Sequence, residues 1–225
     1  MLAPVINSRS DINFLRCWSN KDMACNEMTR LTRHLDLGCG YAPKNPLNQT
    51  MLYGCDLVES PCLEVPNFVY KQADIVFQGI PYPDSYFDSV SAFDFIEHVP
   101  RHSVSAEGKP TLPFIELMNE IHRVLVPGGL LLASTPAFPH PQAFQDPTHV
   151  NIITDKTHEY FCGDAPYARR YGFKGSFRVE RVAFDLGKNV YDRQASRLKK
   201  ALRNFHRRWF KGGQPHLTWE LVAEK

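Results

Sequence analysis

Short apolar segments separated by turn-forming residues recur along the first 136 residues of the chain. The run Leu130–Ser134 is continuously apolar, as is typical of a strand buried on both faces. Before it, residues 112–126 repeat apolar positions every three to four residues, which predicts a helix closed by Pro127-Gly128-Gly129. Strands that alternate with helical stretches predict an α/β domain with a parallel sheet. The predicted parallel strands are residues 35–37, 51–55, 67–71, 89–93 and 130–134.

The C-terminal part of the chain has a different pattern. Ser176–Leu186 and His216–Ala223 alternate apolar and polar residues, which predicts two strands that pair with each other. We therefore predict one domain over residues 1–225 with seven strands, the last two of which pair with each other. Its expected parts are an N-terminal lid or strap (residues 1–32), a core (residues 33–136) and a substrate loop followed by the antiparallel hairpin (residues 137–225).

A glycine turn follows the first predicted strand. Gly38 and Gly40 come one residue apart, directly after a strand in which Asp36 is flanked by leucines. Glycine can adopt positive φ and lets a ligand approach the backbone, and such turns at the end of a first strand bind nucleotide-like cofactors. A dinucleotide site would need a third glycine where this chain has Pro43, which disfavours NAD. The alternative is a tight turn that binds no ligand.

An acid ends the second predicted strand. Asp56 lies 18 residues beyond Gly38, and a carboxylate there can accept hydrogen bonds from both hydroxyls of a ribose. About a dozen residues separate Gly40 from this strand, so we expect the usual intervening helix to be short or absent. The alternative for Asp56 is a loop aspartate in a turn.

Three stretches resemble the class I S-adenosylmethionine (SAM)-dependent methyltransferases. They are the glycine turn from Asp36 to Ala42, the run from Phe87 to Val99, and the run from Ile121 to Gly129. Together they cover residues 35–136 in the order and spacing of the methyltransferase type 11 group. The resemblance implies a Rossmann-like three-layer sandwich whose sheet has seven strands, six of them parallel and the last antiparallel. It also implies S-adenosyl-L-methionine as cofactor, lying across the carboxyl ends of strands one to four.

The resemblance also assigns cofactor-binding positions. The acid after the third strand, Asp74, would bind the adenine amino group and Ile75 the ring, although an Asx turn is the alternative for Asp74. Phe93 would lie beside the transferable methyl group. The complete predicted cofactor set is Asp36, Gly38, Gly40, Asp56, Leu57, Asp74, Ile75 and Phe93.

The segment after the fifth strand is expected to meet the substrate. Its Asp146-Pro147-Thr148-His149 element resembles one in type 11 proteins from polysaccharide and glycolipid gene clusters. We predict His149 as a base for a substrate hydroxyl and Asp146 as the residue that orients it. The alternative is a histidine that only satisfies the loop backbone. The predicted reaction is O-methylation of a sugar or lipid-linked saccharide, within polysaccharide biosynthesis.

A second group of polar residues is compatible with other functions. Asp94, Glu97 and His98 have the spacing of one helix face and could hold a divalent metal, as similar runs do in quinone-biosynthesis O-methyltransferases. We favour the alternative that they cap and orient a helix, and we predict no metal ligand. The alternative functions are a metal-assisted methyltransferase for small phenols or quinones and a non-catalytic SAM-binding scaffold.

Charge and cysteine usage limit the partners. The formal net charge is only +2, and none of the six cysteines forms a C-x-x-C pair, which favours a reduced, cytoplasmic chain. We expect no signal peptide and no membrane-spanning run. One segment, residues 192–211, is strongly basic with an apolar stripe at helical spacing. It is expected to contact an anionic membrane face or an anionic substrate, or else to pack its stripe on the body; nucleic acid is disfavoured.

Overall fold

The computed structural model describes residues 30–59, 65–210 and 215–225. From Leu31 onwards the chain forms one compact unit. Apart from residues 30–32, the expected lid or strap over residues 1–32 lies outside the described residues. The strands are β1 (Arg33–Leu37), β2 (Met51–Asp56), β3 (Phe68–Gln72), β4 (Phe87–Phe93), β5 (Ser103–Val104), β6 (Pro110–Thr111), β7 (Leu125–Pro136), β8 (Ser176–Asp185) and β9 (His216–Glu224).

The described residues also form four α-helices and three short 3₁₀ turns. They are α1 (Pro113–Val124), α2 (Gln142–Gln145), α3 (Gly187–Tyr191) and α4 (Arg197–Phe210), with 3₁₀ turns at Ile96–His98, Thr157–Phe161 and Tyr167–Tyr171. The stretch between β1 and β2, described throughout, holds no helix, which confirms that expectation. Within the described residues, none of the helices is long and apolar enough to cross a bilayer.

Seven strands form one sheet in the order β3-β2-β1-β4-β7-β9-β8. Pairing is parallel from β3 to β7, while β9 runs antiparallel to both β7 and β8. The predicted fold is therefore confirmed: six strands share one direction and the last strand is reversed. Two short strands, β5 and β6, form a separate hairpin.

The core lies between the sheet and the helix α1. The buried residues of α1 recur at helical spacing because one face of the helix packs on the sheet. The helix ends two residues earlier than predicted, and β7 begins at Leu125 instead of after the glycines. Its register to β4 shifts there, and Gly128 has φ +75°, so the Pro-Gly-Gly turn is an irregularity within the strand. The largest fully buried side chains are Trp219, Phe87, Phe161 and Phe177.

Candidate functional site

The glycine turn lies at the carboxyl end of β1, in the middle of the sheet, where parallel neighbours leave a crevice. Gly38 has φ +65° and Gly40 has φ +49°, a region that favours glycine. A Cβ at Gly38 would come within 2.6 Å of Phe95 Cδ2, whereas nothing lies within 4 Å of one at Gly40. The turn is thus packed on one side and open on the other, as a cofactor site requires.

Asp56 ties the glycine turn to the end of β2. Its Oδ2 accepts a hydrogen bond of 2.8 Å from the Gly40 amide, and its Oδ1 accepts one of 3.3 Å from the Val58 amide. Each carboxylate oxygen has a second lone pair, so these bonds leave acceptor capacity for a ribose. The role of Asp56 in ribose binding stays a prediction.

A buried polar network lies beneath the turn. Ser91 Oγ donates to Asp36 Oδ1 at 2.5 Å, and the Lys44 amide donates to Asp36 Oδ2 at 2.8 Å. Because the single Ser91 hydrogen points at Asp36, the imidazole of His34 donates to Ser91 Oγ through Nε2 at 2.8 Å. Its Nδ1 then accepts from Ser89 Oγ at 2.8 Å, so His34 is neutral.

Burial perturbs both ionisable members of this network. The carboxyl of Asp36 is 1% exposed, and burial raises its pKa to about 6, opposed by the Ser91 hydrogen bond. Burial lowers the pKa of His34 to about 3. Sequence reasoning named Asp36 and missed His34, Ser89 and Ser91. The available signal was polar residues at alternate positions of two neighbouring strands, which point to the same face of the sheet.

The remaining cofactor positions lie along the next strand ends. Asp74 Oδ1 accepts a 3.1 Å hydrogen bond from the Phe77 amide, so the Asx-type turn that was the alternative is present. Ile75 is buried and Leu57 is largely exposed. An adenine contact by Asp74 would use its other carboxylate oxygen, and this role also stays a prediction.

Phe93 ends β4 and is covered by a side chain from far along the chain. The ring of Tyr191, on α3, meets it edge to face with centroids 4.8 Å apart. Lys44 Nζ lies 5.1 Å from the Tyr191 centroid and 5.8 Å from that of Phe93. The position predicted beside the methyl group is therefore covered by an aromatic residue of α3, a contact that the sequence did not reveal.

The expected helix face of Asp94, Glu97 and His98 is not formed. Asp94 has φ +50°, and the following 3₁₀ turn spans only Ile96–His98, so the three residues do not share a helix. Asp94 instead accepts hydrogen bonds from His216 Nε2 at 2.9 Å and from the Tyr191 hydroxyl at 2.5 Å. Burial favours a higher pKa for Asp94, but these two bonds outweigh it and lower the pKa.

Glu97 and His98 meet His149 of the loop after β7. One ligating atom from each of the three residues lies within 4.8 Å of the others. The Glu97 carbonyl oxygen accepts hydrogen bonds from the amides of Val150 (3.0 Å) and Asn151 (2.9 Å), which fixes the loop on the 3₁₀ turn. The rings of His98 and His149 pack edge to face, 4.8 Å apart. A histidine cluster thus lies beside the carboxyl end of β4.

Asp146 does not orient His149 as expected. Its Oδ1 accepts from the Thr148 amide (2.8 Å) and hydroxyl (2.6 Å), because the turn Asp146–Thr148 folds the aspartate onto its own backbone. His149 Nδ1 faces the Ala143 carbonyl at 3.2 Å instead. Asp146 therefore supports His98, whose Nδ1 lies 3.0 Å from Thr148 Oγ1.

A cavity of about 590 Å³ opens beside Asp94, Tyr191 and His216. Helices α3 and α4 also line this cavity, with Lys188, Leu202, Arg203 and His206 among their residues. The described part of α4 keeps its apolar stripe in solvent: Leu198 is 70% exposed, and Leu202 and Phe205 are each 59% exposed. Leu198 and Leu202 are therefore mostly exposed, contrary to the alternative that the stripe packs on the body.

Comparison with solved structures shows the fold. A SAM-dependent methyltransferase from Archaeoglobus fulgidus is 17% identical, with 87% of each chain covered and a TM-score of 0.50. A chain of the Haloferax volcanii complex that contains the Trm112 methyltransferase activator is 13% identical, with 87% of this chain and 84% of that chain covered and a TM-score of 0.51. The [4+2]-cyclase SpnF is 16% identical, with 86% and 74% covered and a TM-score of 0.52.

Sequence comparison identifies the family of the chain, which the fold alone does not. No curated protein matches the chain. A family model described as a methyltransferase domain matches residues 9–178, three quarters of the chain. That model is not the type 11 model, so the narrower grouping stays a prediction. Taken with the glycine turn and the sheet order, the match shows that the chain belongs to the class I methyltransferase family, whose methyl donor is S-adenosyl-L-methionine.

Proposed function

We propose that the protein methylates a hydroxyl group of a sugar or lipid-linked saccharide, with SAM as donor, at an anionic membrane face. The observation that carries this proposal is the cavity beside Asp94, because α4 forms one of its walls. Helix α4 therefore does two things: one part of it lines the cavity in which an acceptor would meet the methyl group, and another part presents an exposed apolar and basic surface.

The cavity has groups for both parts of such an acceptor. Tyr191, Asp94 and His216 supply hydroxyl, carboxylate and imidazole groups that suit a polyhydroxylated ring. Lys188 and Arg203 line the same cavity and supply positive charge, which suits the phosphate of a lipid-linked saccharide. Arg203 is partly compensated by Asp192 at 3.0 Å, so a bound phosphate would compete with that ion pair.

The exposed stripe of α4 suits a bilayer surface. Leu198, Leu202 and Phe205 follow one another at helical spacing, and Arg197 and Lys199 flank them on the same helix. Such a helix lies in the interface of an anionic membrane, with about 1 kcal/mol for each basic residue near the surface. Leu202 also lines the cavity, so the lipid part of an acceptor would leave the cavity along this stripe.

Methyl transfer to a hydroxyl needs the hydroxyl proton to be removed. The acceptor oxygen attacks the sulfonium methyl carbon, the carbon–sulfur bond breaks, and S-adenosylhomocysteine leaves with the electron pair. His149 activates the hydroxyl through Nε2, since its Nδ1 faces a carbonyl oxygen. A correctly placed base contributes about 10²–10⁴-fold in rate. Asp146 contributes by holding the turn that carries His149.

Two measurements test the proposal. Labelled SAM should transfer methyl groups to lipid-linked saccharides or sugar phosphates, whereas methylation of phenols or quinones alone would overturn the acceptor class. Binding of S-adenosylhomocysteine without methylation of any of these acceptors would favour the scaffold function.

The membrane part is tested by cosedimentation with vesicles. Binding should require phosphatidylglycerol in a phosphatidylcholine vesicle and should fall when Leu198 and Phe205 are both changed to serine. Val104→Ser is the matched control, because Val104 is equally exposed but lies on the β5–β6 hairpin. Equal loss in the control, or equal binding to neutral vesicles, would contradict docking through α4.

A further inference from the structure

We infer that Glu97, His98 and His149 bind a divalent first-row transition metal close to the carboxyl end of β4. The inference refines the role of His149 proposed above: the histidine would act on the acceptor through the ion instead of as a free base. Metal binding itself is independent of the acceptor's identity.

The carboxylate of Glu97 is the first evidence for the ion. Its side chain is 1% exposed, and neither Oε1 nor Oε2 has a hydrogen-bond partner among the described residues. The hydroxyl of Thr135 is near enough to oppose the rise in the Glu97 pKa, but it donates its hydrogen to the Pro136 carbonyl and so leaves the carboxylate without a hydrogen bond of normal geometry. A buried carboxylate without partners is costly, and a bound cation removes that cost. The Glu97 carboxylate is therefore placed as a metal ligand would be: it is buried, and it lies next to two imidazoles.

The two histidines are held in the tautomer that a metal needs. His98 Nδ1 lies 3.3 Å from the Thr148 carbonyl oxygen, and His149 Nδ1 lies 3.2 Å from the Ala143 carbonyl oxygen. A carbonyl can only accept, so both Nδ1 atoms carry the proton and both Nε2 atoms keep a free lone pair. Metal-binding histidines in proteins are oriented by bonds of this kind from the other ring nitrogen.

The ligand set indicates the class of ion. Two neutral imidazoles and one carboxylate suit zinc, iron, cobalt or manganese, whereas magnesium prefers oxygen ligands alone. The three ligating atoms lie within 4.8 Å of one another. Bonds of about 2.0–2.2 Å would bring them to roughly 3–3.5 Å, a change within reach of small side-chain rotations. Three protein ligands leave a coordination position for an acceptor oxygen.

The site differs from the arrangement that the sequence spacing indicated. Asp94 is turned away to Tyr191 and His216, and His149 arrives from about 50 residues further along the chain. An acceptor hydroxyl bound to the ion would lose its proton to water more readily, because the cation stabilises the alkoxide. His149 would then contribute as a ligand.

The test measures metal binding directly, on the full chain without a polyhistidine tag. After EDTA treatment and dialysis, calorimetric titration with Zn²⁺ should give one site, and Co²⁺ should give the visible absorption of a nitrogen- and oxygen-ligated ion. Glu97→Gln, His98→Gln and His149→Gln should each weaken binding at least tenfold. His102→Gln is the matched control, since His102 is exposed and outside the cluster. Binding of S-adenosylhomocysteine by each variant checks that it is folded.

Each result decides the inference. No stoichiometric Zn²⁺ binding, or the same affinity in all four variants, overturns the site. Methyl transfer that survives EDTA but is lost in His149→Gln keeps the proposed function and returns His149 to the role of a free base. Tight Zn²⁺ binding without methylation of any acceptor keeps the metal site and overturns the proposed function.

Discussion

Glu97 makes the stability of the metal-free protein depend on pH, and one substitution at this position should remove that dependence. Burial raises the pKa of this carboxyl from 4.5 to about 7, so the folded state holds the proton more tightly than the unfolded state does. The stability that this group contributes is fully present below pH 4.5 and is lost as the pH rises through about 7. At about 1.4 kcal/mol for each pKa unit, the loss is about 3 kcal/mol.

The variant Glu97→Gln has no proton to lose at this position. We therefore expect the free energy of unfolding of the wild type to fall, relative to the variant, by about 3 kcal/mol between about pH 4.5 and about pH 8. The cost of burying an unpartnered amide is the same at every pH, so it cancels when the difference is followed along pH. The titratable neighbours Asp94, His98, His149 and His216 are present in both proteins and largely cancel too.

Urea unfolding in EDTA, followed by circular dichroism over this pH range, measures the difference. If the free energies of unfolding of the wild type and the variant change in parallel with pH, that result refutes the reasoning. Glu97 would then have the same pKa in the folded and the unfolded state. Zn²⁺ supplies a second check. It should restore stability to the wild type near pH 8 and leave the variant nearly unchanged, since the ion binds the ionised carboxylate.

Three further substitutions test the cofactor site. Asp56→Ala should weaken S-adenosylhomocysteine binding by calorimetry roughly 10²–10⁴-fold, because two charge-assisted bonds of about 1.5–3 kcal/mol each are lost; Asp155→Ala, an exposed aspartate elsewhere, should leave affinity unchanged. Ser91→Ala should lower the free energy of unfolding by about 2–4 kcal/mol in urea, because it leaves two buried partners unsatisfied. Gly38→Ala should abolish cofactor binding, since its Cβ would meet Phe95 at 2.6 Å; wild-type affinity would contradict the packed turn.

Membership of the family identifies the cofactor but does not determine which reaction the protein catalyses. SpnF, a [4+2]-cyclase, has the same fold, so the sheet alone does not determine what happens at its edge. In this protein the features that distinguish the site come from α3 and α4. Tyr191 covers Phe93, and Arg203 and Leu202 line the cavity from α4. Acceptor choice is therefore expected to depend on residues 187–210 more than on the shared core.

The sequence by itself determined the sheet, the glycine turn and the acid at the end of β2. These features depend on apolar periodicity and on the conformational freedom of glycine, which act over a few residues. Gly38 and Asp56 could be paired because the carboxyl ends of adjacent parallel strands must lie side by side. Leu217, Trp219 and Leu221 alternate with polar residues, which predicted the last strand, whereas its reversed direction was implied by the family resemblance.

Only the tertiary structure decided which polar side chains meet at the site. His149 lies beside Glu97 because backbone amides after it bind the Glu97 carbonyl oxygen, a contact that no local pattern encodes. The positive φ of Asp94 broke the helical spacing that its neighbours suggested. Long-range contacts of this kind depend on the path of loops and on which hydrogen bonds are satisfied, and both follow from the packed chain instead of from neighbouring residues.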